Sequence, residues 1–195
     1  MKLKDIATIK TGLVLFRKKA ALYEVKTSYK QLTLKSFSNS TIVNPSTLDD
    51  FASTDEIKKD YLTQEGDVII RLRAPSVAIY IDKSMQGLVI SSLMTVIRSN
   101  DLNVNNKFLA HYLNSNIIQK VFNIAIKGTA IPMIKTSDVA ELNIVLPSLS
   151  EQNKTVKIMS LLYKEQEVLK ELSNKKQIFT QNILNTISNQ FQEAK

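Results

Sequence analysis

A chain of 195 residues with 44% apolar and 23% charged side chains has length for one domain of ordinary size plus an appendage, and apolar residues for a real core. It contains no cysteine, which excludes a disulfide framework, a thiolate zinc site and a cysteine nucleophile. No window approaches the roughly eighteen consecutive apolar residues of a membrane span. The opening MKLKDIATIK also lacks the apolar centre of a signal peptide, so a soluble, cytoplasmic protein without a membrane partner is expected. The net charge of +8 suits a polyanionic partner.

Taken in chain order, Leu3, Ile6 and Ile9 recur every third residue and precede Gly12, which predicts a helical turn running into a strand. Residues 23–37 loosen into alternating Tyr, Val, Thr and Leu and read as strands. After Pro45 the acidic segment STLDDFASTDEIKKDYL reads as a loop carrying a short helix. Glu65-Gly66-Asp67 is a turn signal ahead of VIIRLR, and that segment, VAIYI and GLVISSLMTVIRS form the densest β signal in the chain. Helical spacing returns from Asn103 to Phe122, and LNIVLP, ending at Pro147, reads as a last strand.

Beyond Pro147 there is neither Gly nor Pro. Ser148 and Glu151 form an S-x-x-E capping box, so a helix starts there. Ile158, Leu162, Leu169, Leu172, Phe179 and Ile183 then keep a coiled-coil rhythm, with Glu165 and Lys176 as polar interruptions. Uninterrupted to Phe191, such a helix rises on the order of 65 Å. The pattern divides the chain into an α/β (α+β) domain over 1–147, built on a mixed sheet, and a long helix over 148–195. The first part carries 19 basic against 13 acidic residues and the second 7 against 5, so the excess charge sits on the globular part.

Four strings in this order, L-x-DI-x-x-I-x-TG at 3–12, LTQEGDVII at 62–70, FLAHYLNS at 108–115 and GTAIPMIKTSDVAELNIVLPSLSEQ at 128–152, resemble the specificity subunit of type I restriction-modification systems. In that family a target recognition domain ends in a strand, a proline-rich step and a Glu-Gln helix start, followed by a spacer helix. Ser148 stands where the family usually has a second proline. Members usually carry two recognition domains and two antiparallel spacer helices; this chain has one of each, as a half-subunit that dimerises or a piece of a longer product would. The resemblance implies a non-catalytic subunit that reads double-stranded DNA for a methyltransferase subunit and a restriction or motor subunit. It implies no cofactor of its own, since S-adenosylmethionine and ATP belong to the partners.

The residues that suit DNA fall in three places. Arg17, Lys18 and Lys19 cluster after Gly12, with Lys10 and Thr11 just ahead, where they can reach phosphates. Arg71 and Arg73, two apart on a strand, share a face and suit bidentate contact with guanine, with Ser76 beside the closing Pro75; burial against Asp67 or Asp82 is the alternative. Lys127 and Thr129 flank a glycine that permits close approach to a phosphate or simply caps a helix. The spacer positions named above, Ile158 to Ile183, would meet a second copy.

Other chemistry has less support. NPST at 44–47 lacks the second proline and aromatic of an adenine methyltransferase loop, and His111 has no companion ligand. Asp49 or Asp50 with Glu56 and Lys58 has the residue types of a small metal-dependent nuclease, and a coiled-coil assembly protein with incidental charge is a further reading.

Overall fold

The structure is a computed structural model that describes residues 1–21, 24–37, 41, 43–99, 101–127 and 130–193. It divides into two compact units, Met1–Lys154 and Thr155–Lys195.

The first unit is built on a four-stranded sheet of β1 (Thr8–Thr11), β4 (Val68–Arg71), β5 (Ala78–Tyr80) and β6 (Met94–Arg98), in the order β1-β6-β4-β5. Among the described residues every ladder is antiparallel, and parallel pairing is confined to isolated bridges, Leu13 with Ser91 and Gln31 with Val89. The unbroken apolar run of β4 follows from burial on both faces. Val68 and Ile70 join Ile97 and the helical residues Leu109, Leu113, Ile118 and Phe122 on one side. Ile69 joins Ile79, Val96, Leu32 and Phe37 on the other. The first face is covered by α1 (Asn106–Leu113), α2 (Asn116–Ala125) and the short α3 (Thr136–Ala140).

A separate two-stranded ribbon pairs β2 (Thr27–Gln31) with β3 (Asp49–Ser53). The acidic segment expected to be a loop with a short helix therefore contains a strand. Its alternation is hidden because Asp49 and Asp50 are exposed, while Phe51 and Ser53 are buried. Asp50 lies opposite Lys30, and the two form an ion pair of 2.7 Å across the ribbon. A small core of Phe51, Ile57 and Val89 packs with Leu13, Leu15 and Tyr29.

One further expectation is corrected. LNIVLP forms no ladder: Asn143 makes one bridge to Lys2, and Leu3 enters a 3-10 turn immediately after it, so the partner strand ends. Ahead of it, Thr136 to Ala140 form α3, whose first turn is closed by Asp138 accepting from the Lys135 amide at 2.7 Å.

The long helix α4 runs Leu149–Glu193. Its capping box is present: the Glu151 amide donates to Ser148 Oγ at 3.3 Å, and the Ser148 amide donates to Glu151 Oε2 at 2.9 Å. These bonds lower the Glu151 pKa from its ordinary value, the serine hydroxyl contributing first. Gln152 is fully buried and fastens this first turn to the entry of α1. Its Nε2 donates to the carbonyls of Asn103 and Pro147, both at 2.9 Å, and its Oε1 accepts from the Asn105 amide at 2.9 Å. This is why the first unit extends past the compositional step at Pro147 to Lys154. Among the described residues no helix is long and apolar enough to cross a membrane.

In the second unit α4 exposes Ile158, Leu162, Leu169, Leu172, Phe179 and Ile183, each between 44% and 66% accessible. Leu161 and Val168 beside them widen the stripe in its first half.

Candidate nucleic-acid interface

Antiparallel pairing brings the end of β1, the end of β4 and the start of β6 to one edge of the sheet. Backbone bonds bind the loops there to one another. The Leu13 amide donates to Ile90 O and the Ser92 amide to Leu13 O, both at 2.7 Å, and the Leu72 amide donates to Leu93 O at 2.9 Å. On the other side Ala74 donates to Pro132 O at 2.9 Å and Ile134 to Leu72 O at 3.0 Å, so the segment after α2 runs beside the β4–β5 loop. Gly12 makes the first crossing possible: a Cβ there would run into the carbonyl oxygens of Ser91 and Ile90.

Of the expected residues, the Arg17–Lys19 cluster follows the Leu13 crossing and lies against the end of β3, and Arg73 lies on the β4–β5 loop. Arg17 is exposed on the 3-10 turn Leu15–Arg17, and Lys19 is exposed just after it, in a bridge with Ser53. Lys18 is half-buried and pairs with Asp55 at 2.8 Å, which lowers the Asp55 pKa from its ordinary value. Arg73 is exposed in a bridge with Met133. Lys35 and Lys135, which the sequence did not single out, are also exposed here. They are distant in sequence and are gathered only because Leu34 O accepts from Arg71 Nη1 at 3.3 Å and Ile134 bonds to Leu72.

Arg71 is placed differently from Arg73. Its Nε donates to the carbonyls of Arg73 and Pro75, at 3.0 and 2.9 Å, so this side of the guanidinium braces the loop. It engages carbonyls and not Asp67 or Asp82; Asp67 is held by Arg98. Burial, and then the Arg73 charge, lowers the Arg71 pKa, although a guanidinium remains charged. Ser76, expected beside the arginines at the surface, is only 3% exposed, with its hydroxyl toward Leu72 O at 3.5 Å. The Pro75 turn folds it under the loop.

Thr11, the last residue of β1, stays at this edge: its Oγ1 lies 2.7 Å from Thr136 Oγ1, itself 2.8 Å from Thr95 Oγ1, whereas Lys10 pairs with Asp60 at 2.9 Å. Lys127 is exposed after α2, and Thr129 lies outside the described residues. Among the described residues no group of three or more His, Cys, Asp or Glu is placed to hold a metal ion. Asp50 of the nuclease reading faces Lys30, and His111 is half-buried, its pKa lowered by that burial.

The described residues thus form an α+β domain with exposed basic side chains and a long helix with an exposed apolar stripe. Residues 1–178 match the family described as Type I restriction modification DNA specificity domain, and the chain belongs to that family. The family is the non-catalytic, DNA-recognising component of such systems.

No curated protein matches the sequence. Among solved structures, one reported on complex assembly and conformational transition of the type I R-M system superposes with a TM-score of 0.64 at 20% identity, over 86% of this chain and 43% of that one. The HsdS subunit from Thermoanaerobacter tengcongensis gives 0.63 at 22% identity, again over 86% and 43%. The type I restriction-modification S subunit from M. genitalium gives 0.54 at 18%, over 89% and 41%. The chain therefore spans less than half the length of each of these structures, and the likeness is one of fold.

Proposed function

We propose that this chain reads DNA sequence for a type I restriction-modification complex, working in the cytoplasm beside a methyltransferase subunit and, where one is present, a restriction or motor subunit. Membership of the specificity-domain family carries this reading, and the basic loop edge supports it: Arg17, Lys19, Lys35, Arg73 and Lys135 take part in no ion pair among the described residues. Catalysis and its cofactors belong to the partners in this account.

Two copies associate through α4 as a coiled-coil pair. An apolar stripe left in water is unfavourable by roughly 25 cal/mol per Å². A two-fold dimer presents the same reading surface twice, so its site is bipartite and palindromic, with a gap set by the helices.

Binding of duplex DNA across a salt series tests the reading. Lys19→Ala should weaken binding to all sequences alike and reduce the slope of log K against log salt by about 1, whereas Arg73→Ala should cost about 1–3 kcal/mol of discrimination between sequences. Arg71→Ala is expected to act on the same discrimination by releasing the loop that presents Arg73. A chain whose affinity for duplex does not change with salt is not the DNA-reading subunit.

A further inference from the structure

We propose that Phe16 is a base-contacting residue, placed in a DNA groove against the edges of the base pairs while Arg17 and Lys19 beside it meet phosphates. The proposal rests on the DNA-reading function above and adds to it an apolar reader among the charged ones.

Phe16 is 90% exposed, in a turn that is otherwise well fastened. On the chain before it, Leu13 is bonded on both sides to the Ile90–Ser92 segment. Leu13 and Leu15 are both packed on the small core of Phe51, Ile57 and Val89. Within the turn the Arg17 amide donates to Val14 O at 3.2 Å and the Lys18 amide to Leu15 O at 2.9 Å. After it, Lys18 O accepts from the Thr54 amide at 3.1 Å, Ala20 donates to Ala52 O at 3.0 Å, and Lys18 Nζ holds Asp55 at 2.8 Å. The inward leucines fix the backbone, and the residue between Leu15 and Arg17 is left to face outward. A large aromatic held out by a fixed turn loses little freedom on binding, as a preorganised contact requires.

The surroundings select the occupant. Arg17 and Lys19 are exposed and in no ion pair among the described residues, and Asp55 is held by Lys18, with Lys26 at 3.8 Å. The turn lies against the end of β3, through Lys18 O on the Thr54 amide and the bridge of Lys19 with Ser53. A phenylalanine framed by unpaired cations matches a polyanion whose interior is apolar and stacked. Phenylalanine offers no hydrogen bond, so it reads by contact with a thymine methyl or by leaning into an easily opened base step. Either contact concerns one or two adjacent positions in a half-site.

The test uses the full-length chain and a pool of random-sequence duplexes, with the enriched duplex then titrated across a salt series. Phe16→Ala should lower affinity for the enriched duplex by about 10- to 100-fold, as loss of an aromatic contact with one base does, with the salt slope unchanged. Sequence preference should fade at one or two neighbouring positions of each half and persist elsewhere, and Phe16→Trp should retain it. Arg17→Ala should do the reverse, lowering the salt slope by about 1 and keeping every preference. Phe16→Ala enriching the same sequences with the same affinity would overturn the proposal. A wild-type chain that enriches no sequence would overturn the DNA-reading function itself, and this proposal with it.

Discussion

Arg98 at the end of β6 holds Asp67, ahead of β4, by two parallel bonds, Nε to Oδ1 at 2.7 Å and Nη2 to Oδ2 at 2.8 Å. Asp67 is buried, and its Oδ2 also accepts from the Gln64 amide at 2.8 Å, which closes the turn containing Gly66 at φ 90°. One carboxylate thus joins the turn, the neighbouring strand and, through Arg98 Nη2 on Leu62 O at 3.3 Å, the segment before it. Donating to the Asp67 carboxylate raises the Arg98 pKa from its ordinary value. Removing Asp67 leaves a half-buried guanidinium without its carboxylate and the Gln64 amide without its acceptor. Asp67→Ala should therefore cost about 3–5 kcal/mol in urea unfolding; a loss below about 1 kcal/mol would show that the pair does not hold the turn.

Gly12→Ala forces a methyl into two backbone oxygens at the crossing of the β1 and β6 loops. Backbone cannot move aside as a side-chain tip can. We expect a loss of about 2 kcal/mol or more, with loosened amide-exchange protection at Leu13 and Ser92, whose amides bond across that crossing. Unchanged protection there would contradict the close approach.

The elements that sequence made legible are those whose signal is local. The strands around Ile69, Ile79 and Val96, the helices from Asn106 to Ala125, and the capping box of Ser148 and Glu151 each announce themselves within a few residues. What was hidden depends on partners far along the chain. Asp49 and Asp50 masked a strand because the side chains that make it one, Phe51 inward and Lys30 across, are split between its own face and another strand. Gln152 is part of the helix start as its sequence suggests, but its three bonds to Asn103, Asn105 and Pro147 have no local signal. The interface divides in the same way. Arg17 to Lys19 could be picked out as a cluster, but Lys35, Arg73 and Lys135 become neighbours only through tertiary bonds, and Ser76 was lost to a turn that buries it.

Glu141 is gripped by Lys2 at 2.5 Å and Lys4 at 2.5 Å, tying the N-terminal segment to the end of α3. Those two hydrogen bonds, Lys2 first, lower its pKa from 4.5 to about 2. A depressed carboxylate contributes stability that is present above the unfolded value and is lost as pH falls through the folded one. Stability should accordingly decline between pH 4.5 and about 2. Urea midpoints measured against pH should show a shallower acid slope for Glu141→Gln than for the wild type, the two curves converging at the acid end. Parallel curves over that window would mean that the clasp contributes nothing in solution, as exposed pairs sometimes do not.

The helix stripe gives a prediction about association. Replacing Leu162, Leu169 and Leu172 with Asp should yield monomers by light scattering at micromolar concentration. The circular dichroism of the first unit should persist, because none of the three belongs to its cores. A triple variant that still scatters as a dimer would place the contact elsewhere.

In the proposed complex one kind of chain reads a symmetric site for a methyltransferase. The direct measurement is to produce the full chain together with its methyltransferase subunit and to map every modified adenine in the resulting DNA. An interrupted palindrome is predicted, two identical short half-sites on opposite strands around an unread gap. An asymmetric bipartite site obtained with this chain as the sole specificity component, or modification that does not depend on the chain, would contradict it.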